Sequence, residues 1–306
     1  MIDIRLIDYL SGKSGIRDKS LIEKDFILQS LLVGFAKDKY FSGNFVFKGG
    51  TCLVKCYLGY FRFSEDLDFT YINQGAFKGK SENGIRRFLS SEISRLLGIV
   101  GDISKAYGLD FKAGKENKRY AEFGGSNRFL TLKIWYVSAV SRRDQFIKIQ
   151  LNYVDLFKYR FKKLAAKPMI EADAKEAEFL FPGYAGILLA KPKLMAYDIR
   201  EILLEKVRAI LTRRGTKARD FVDVFVITEK LDKDMWAFKK DVILKAKFML
   251  KYEKYRQNLK EKIKVKRWVK PGEEEHLLLK PLKGFQPFLE EFYPFLDEVV
   301  GEVLRE

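Results

Sequence analysis

Residues 45–69 read FVFKGGTCLVKCYLGYFRFSEDLDF. Phe45, Val46 and Phe47 are an apolar, β-favouring run that Gly49 and Gly50 interrupt. The spacing predicts a strand, a sharp turn with exposed backbone N–H groups, and a helix starting at Thr51. Such a turn can hold a phosphate. The returning segment, taken at the strand period of two, puts Arg62, Ser64, Asp66 and Asp68 on one face and Phe61, Phe63, Leu67 and Phe69 on the other. Carboxylates at i and i+2 of a strand point the same way. They can share a divalent cation or hold two, which bridge triphosphate oxygens and activate an attacking hydroxyl. A lone D-x-D is more often a charged hairpin edge facing water, but the glycines, the helix start and the one-sided strand together favour a nucleotide-and-magnesium arrangement.

Composition supports polyanionic partners. The chain has 306 residues and a formal net charge of +17, more than solubility requires, which favours RNA, DNA or nucleotides. Its 47% hydrophobic content suffices for a sizeable core, and the length predicts about two lobes. The opening MIDIRLIDYLSGKSG carries acidic residues and no sustained apolar run. Neither a secretory signal nor a membrane anchor is expected, and the cytoplasm is the expected location. Cys52 and Cys56 lie one helical turn apart without further ligands nearby, so they read as small apolar residues rather than a zinc or disulfide pair. His276 is the only histidine and follows an acidic run; it reads as a surface residue, not a triad member.

Outward from the central stretch, residues 20–41 predict a helix with Ser20 as N-cap and Glu23 in capping-box position. Glu23, Lys24 and Asp25 are expected to face solvent. A second helix is predicted over Gly84–Val100, and two strands over Arg128–Val137 and Gln145–Val154, joined as a hairpin. The basic, glycine-bearing segment before the hairpin reads as an exposed loop. Residues 157–182 read as a crossing between lobes.

Residues 197–228 hold a second constellation. Leu203, Leu204, Val207, Ile210 and Leu211 form a helical stripe with Lys206 at its edge. The lysine either covers apolar surface and pairs with Asp198, Glu201 or Glu205, or it is held for a triphosphate. Gly215 ends that helix, and the next carries Asp220 and Asp223 at i and i+3, a pattern that often serves only the helix dipole. The lysine-rich helical pattern from Lys230 onward reads as an RNA-backbone track or a solvated face. A Pro271-Gly272 break and an aromatic helix follow.

Three stretches, IEKDFIL, the KGGT…RFSEDLDF unit and EKVRAILTRRGTKARDFVD, together resemble the AbiEii/AbiGii nucleotidyltransferase toxins, a branch of the polymerase-β-type nucleotidyltransferases. The match spans about residues 20–228. The resemblance implies an α/β (α+β) fold. A nucleotidyltransferase lobe with a mixed sheet would occupy residues 1–160 and a mainly helical lobe residues 161–306, with the active site in the cleft between them. It implies Mg²⁺ on Asp66 and Asp68, and nucleotide contacts from Gly49, Gly50, Thr51, Arg62, Ser64 and Asp223. Lys206 would contact phosphates and Asp220 would be the catalytic acid of its helix. Thr51 stands where many relatives have serine and keeps the hydroxyl.

The implied reaction moves a nucleotide from a nucleoside triphosphate to an acceptor hydroxyl, first of all the 3′ end of tRNA or other RNA, by a toxin with an antitoxin partner. Protein and small-molecule acceptors are the alternatives. One departure matters: Gln150 and Asn152 stand where this superfamily usually places a third carboxylate. Neutral amides hold divalent cations less well, so one firmly bound magnesium is expected, with Asp155 as a possible substitute ligand. The non-enzymatic rival is a basic RNA-binding module without catalysis.

Overall fold

The computed structural model describes residues 2–125, 127–263, 269 and 278–305; His276 and Pro271-Gly272 lie outside them. The chain divides into two units, Met1–Asp155 with Phe161–Ala196, and Leu156–Arg160 with Tyr197–Glu306.

In the first unit, α1 (Ile4–Ser14), α2 (Lys19–Lys37) and α3 (Lys39–Asn44) lead into β1 (Phe45–Lys48). There follow α4 (Gly49–Cys52), prolonged by a π-helical turn over Leu53–Leu58, and β2 (Asp66–Tyr71). The unit continues through α5 (Glu82–Ala106), β3 (Ala121–Gly124), β4 (Phe129–Val137), β5 (Asp144–Asn152), β6 (Lys162–Ala165), α6 (Ala174–Leu180), α7 (Pro182–Leu188) and β7 (Lys193–Ala196). The strands form one seven-stranded mixed sheet in the order β3-β4-β5-β2-β1-β7-β6. β2 runs antiparallel to β1 and parallel to β5. The D-x-D strand is therefore central.

Alternation fixes which side of the sheet is core. Phe45, Phe47, Leu67, Phe69, Ile147, Ile149 and Leu151 are all buried. Phe35 of α2 stacks on Phe41 at 4.1 Å, and Phe41 meets Phe69 edge-on at 4.9 Å, so α2 and α3 seal that face. α2 is buried along most of its length, as a helix facing both a sheet and other helices must be.

Several expectations shift. Asp18, not Ser20, caps α2, accepting from Ser20 N at 3.0 Å and Leu21 N at 3.4 Å. Asp38 closes that helix and caps α3, splitting the single helix predicted over residues 20–41. Glu23 and Asp25 are buried rather than solvated, because distant partners meet them: Ser138 Oγ and Ala139 N donate to Glu23. The predicted hairpin is present as β4 and β5, antiparallel throughout. The segment read as an exposed loop contains β3, which pairs with β4. β6 and β7 were not legible as strands at all.

The second unit is helical, with α8 (Ile199–Thr212), α9 (Ala218–Leu231), α10 (Lys239–Leu250), α11 (Glu253–Ile263) and α12 (Phe285–Leu304). Phe288, Phe292 and Phe295 stack along α12 with centroids 5.1 and 5.8 Å apart, and Phe221 of α9 abuts Phe292 edge-on. Two lysines of the tail face inward. Lys245 is buried against Glu201 at 2.7 Å, and Lys262 is buried and donates to the Ile210 carbonyl. Neither is a solvated or RNA-facing cation; each satisfies buried oxygens.

Candidate active site

At Gly49 the chain leaves β1 with φ +76°, a left-handed conformation that L side chains rarely adopt. A Cβ there would overlap the Asp68 carboxylate, so the turn sits directly on that acid. A Cβ at Gly50 would come within 2.5 Å of Arg62 Nη2 and 3.1 Å of Ser64 Oγ. The two glycines thus bring backbone against the residues of the returning segment. Thr51 ties the corner. Its Oγ1 donates to the Asp66 carbonyl at 2.5 Å and shares a hydrogen bond with Ser64 Oγ at 2.7 Å. Arg62, 2% exposed, donates from Nη1 to the Phe63 carbonyl at 2.6 Å. Gly49, Gly50, Thr51, Arg62, Ser64, Asp66 and Asp68 are therefore brought together. Arg62 and Ser64 precede the strand, which begins only at Asp66.

Sheet register adds neighbours that sequence spacing missed. Asp68 lies opposite Lys48 on β1 and Gln150 on β5, and Asp66 lies opposite Lys148. Lys48 and Lys148 thus stand in the rows of the two acids, a placement visible only once strands are paired. Asp155 is engaged by that same Lys48, whose Nζ lies 3.3 Å from its carboxylate. Gln150, in register with Asp68, offers a neutral amide oxygen in that row. Among the described residues no group of three or more His, Cys, Asp or Glu is gathered to hold a metal ion. Two carboxylates on one strand face nevertheless suit a hard cation that completes its shell with water and phosphate oxygens, as Mg²⁺ does. Glycine at position 49 lets the Asp68 carboxylate lie directly against the turn, where a Cβ would collide with it.

Beneath the turn runs a buried polar brace. Lys55, on the π-helical turn, is fully buried and pairs with Asp25 of α2 at 2.9 Å. Its ammonium also donates to Gln29 Oε1 at 3.1 Å and to Tyr60 OH at 2.5 Å. The Tyr60 hydroxyl donates to Asp25 at 2.8 Å. Burial, reinforced by the Asp25 charge, pushes the Tyr60 phenol up and keeps it protonated.

In the second unit, Lys206 pairs with Asp223 at 2.6 Å and Asp220 at 3.0 Å, and Arg213 pairs with Asp220. The partners predicted from helix spacing are occupied otherwise: Asp198 caps α8, Glu201 takes Lys245, and Glu205 takes Arg208 at 2.8 Å. Asp220 and Asp223 are both buried, so they do more than offset a helix dipole. Burial pushes the Asp220 carboxyl up, but the charges of Lys206 and Arg213 outweigh it and hold the carboxyl below the ordinary aspartate value of 3.8. Its ionisation therefore contributes stability that is complete above about pH 4 and fades as pH falls through the depressed value. Thermal melts of wild type and Asp220→Asn should differ by a constant gap from pH 5 to 7 that narrows below pH 4. A gap independent of pH to 2.5 would contradict the coupling.

A glycine turn seated on a D-x-D strand within a mixed sheet is the framework of a nucleotidyltransferase. The chain belongs to the AbiEii nucleotidyltransferase toxin family of type IV toxin–antitoxin systems, whose model matches residues 30–300. It is a nucleotidyltransferase by that membership, and an antitoxin partner and a nucleoside triphosphate substrate go with the family. Two solved structures from Helicobacter pylori are similar. JHP933 is 16% identical with a TM-score of 0.45, each chain covered over 94%. A proposed nucleotidyltransferase is 18% identical with a TM-score of 0.43, covering 94% of this chain and 97% of that one. No curated protein matches. Among the described residues, no helix is long and apolar enough to cross a membrane.

Proposed function

We propose that the protein transfers a nucleoside monophosphate from a nucleoside triphosphate to the 3′-terminal hydroxyl of tRNA, in a magnesium-dependent reaction in the cytoplasm, and that this is the basis of its toxicity. The observation that carries the reading is the Gly49 backbone folded onto Asp68, with Asp66 on the same strand face. The N–H groups of Gly49, Gly50 and Thr51, with Arg62 and Ser64, bind triphosphate oxygens. Asp66 and Asp68 hold Mg²⁺, which when bound supplies Lewis-acid stabilisation of the phosphoryl oxygens. Lys206 neutralises phosphate charge, its ammonium oriented by Asp220 and Asp223. Asp220 is the catalytic acid of its helix and Asp223 a nucleotide contact. The acceptor oxygen bonds to the α-phosphorus as the bond to the β-phosphate bridging oxygen breaks, and pyrophosphate leaves with that electron pair. The acceptor proton passes to a carboxylate or water.

Incubation with each α-labelled nucleoside triphosphate, Mg²⁺ and total tRNA tests this. Label should appear on tRNA for a particular nucleotide and vanish in Asp66→Ala and in EDTA. The same nucleotide labelled at the γ-position should leave tRNA unlabelled. Label on the polypeptide would move the acceptor to protein, and label on no acceptor in any condition would count against transfer to RNA.

A further inference from the structure

The polar face of the sheet continues past the two acids onto β4 and β5. There Lys133 is opposite Lys148, which is opposite Asp66, and one row further along Trp135 is opposite Phe146. Neighbouring strands are about 4.8 Å apart and successive same-face residues about 7 Å. The two rings are therefore adjacent to the Asp66 row. Both are half-buried on the side of the sheet away from the core. Their centroids are 4.9 Å apart at 51°.

Cations surround them. The Arg119 guanidinium lies 4.1 Å from the Trp135 centroid, and the indole N–H donates to the Arg119 carbonyl at 3.0 Å, fixing the ring. The Lys133 ammonium lies 5.7 Å from the Phe146 centroid. Arg142 and Arg143 are exposed in the turn that joins the two strands. Glu122 and Asp144 answer only part of this charge, pairing with Lys133 and Arg119 respectively. Lys148, in the row between rings and acid, makes no ion pair among the described residues.

An aromatic pair lying merely as sheet cover would be bordered by apolar side chains. An indole held by its N–H beside a phenyl ring, the two ringed by arginine and lysine, is instead the composition of a single-stranded nucleic-acid platform, where bases stack on π-faces and phosphates meet cations. We propose that Trp135 and Phe146, flanked by Arg119, Lys133 and Lys148, seat the single-stranded end of an RNA acceptor. Bases next to the terminus stack on the rings, so that the terminal hydroxyl is delivered to the Asp66 row. This rests on the reading of the protein as a transferase acting on RNA, and it adds where the acceptor binds.

The test uses the full chain and fluorescence anisotropy with two labelled RNA oligonucleotides of equal length and charge, one normal and one with abasic positions before its 3′ end. Wild type should prefer the normal strand by roughly tenfold, the contribution of stacking. Trp135→Ala/Phe146→Ala should erase the preference, and Trp135→Phe/Phe146→Tyr should restore most of it, with melts confirming that both variants fold. Equal binding of the two oligonucleotides by wild type, or a preference that survives in the alanine variant, would overturn the proposal. So would displacement of both oligonucleotides alike by an acidic peptide of equal charge, which would assign the face to a protein. In transfer assays the alanine pair should raise the acceptor KM about tenfold and change the nucleotide KM less than twofold. Transfer that needs Asp66 but shows an unchanged acceptor KM overturns the platform alone. Transfer indifferent to Asp66→Ala overturns the transferase reading instead.

Discussion

Gly49→Ala is expected to lower nucleotide transfer by on the order of a thousandfold, as much as removing the Asp68 carboxylate itself. Two independent costs meet at this residue. Its φ of +76° strains any L side chain, and the added Cβ would occupy the position of the Asp68 carboxylate oxygen. Asp68 cannot yield easily, since its strand is hydrogen-bonded on both sides, to β1 and β5. The turn must move instead, carrying its backbone N–H groups off the strand. Single-turnover transfer with saturating nucleotide should separate this from simple weakening of binding. The variant should stay slow at any nucleotide concentration, with a melting temperature within a few degrees of wild type. A Gly49→Ala protein with transfer within tenfold of wild type would mean that the turn is not part of the catalytic geometry.

Lys55→Met should give the largest loss of stability of any single substitution in the first unit. The lysine is fully buried, and its ammonium is the charge that compensates Asp25 at 2.9 Å. Removing it leaves a buried carboxylate with the Tyr60 hydroxyl as its remaining close donor. Breaking one side of a buried pair costs about 3–5 kcal/mol, because the stranded charge keeps its full desolvation penalty. A fall in Tm on the order of 10 °C follows. Lys55→Met/Asp25→Leu should recover much of this, since neither charge then remains to be desolvated. Thermal melts at pH 7 decide it. A loss below about 1 kcal/mol in the single variant, or no recovery in the double, would show that water reaches the pair. The same brace ties the π-helical turn to α2 and the Gln29 amide to the Ala166 and Ala190 carbonyls, so the single variant should also transfer nucleotide more slowly at temperatures where it is still folded.

What the sequence made legible were the features written in consecutive residues. A glycine pair after an apolar run, alternation through RFSEDLDF and FIKIQLNYV, and a helical stripe around Lys206 need no partner to be read. What it hid depended on pairing across the chain. β6 and β7, KKLA and KLMA, have too few residues to show a period and are strands because each completes the other's ladder. Glu23 looks like a first-turn surface acid until Ser138 and Ala139 arrive to bind it. Lys206 lies at the edge of its stripe as the spacing predicts, but its partners come from the next helix rather than from its own. Lys48 and Lys148 entered the rows of the two acids through register, which alternation along one strand does not specify.

The chain visits the second unit briefly at Leu156–Arg160, returns for Phe161–Ala196, and only then departs for good. The visiting segment is held by Glu201, whose carboxylate accepts from Lys158 N at 2.9 Å and Tyr159 N at 2.8 Å. During synthesis, Leu156–Arg160 therefore leaves the ribosome before its anchor on α8 exists. The sheet, meanwhile, lacks β7, the outer neighbour of β1, until residue 196 has emerged. A polypeptide whose translation stops after Asp155 carries both acids on β2 between β1 and β5, while the glycine turn follows a β1 whose outer edge is still open. No cut at a single peptide bond divides the protein into two halves that each hold a finished unit.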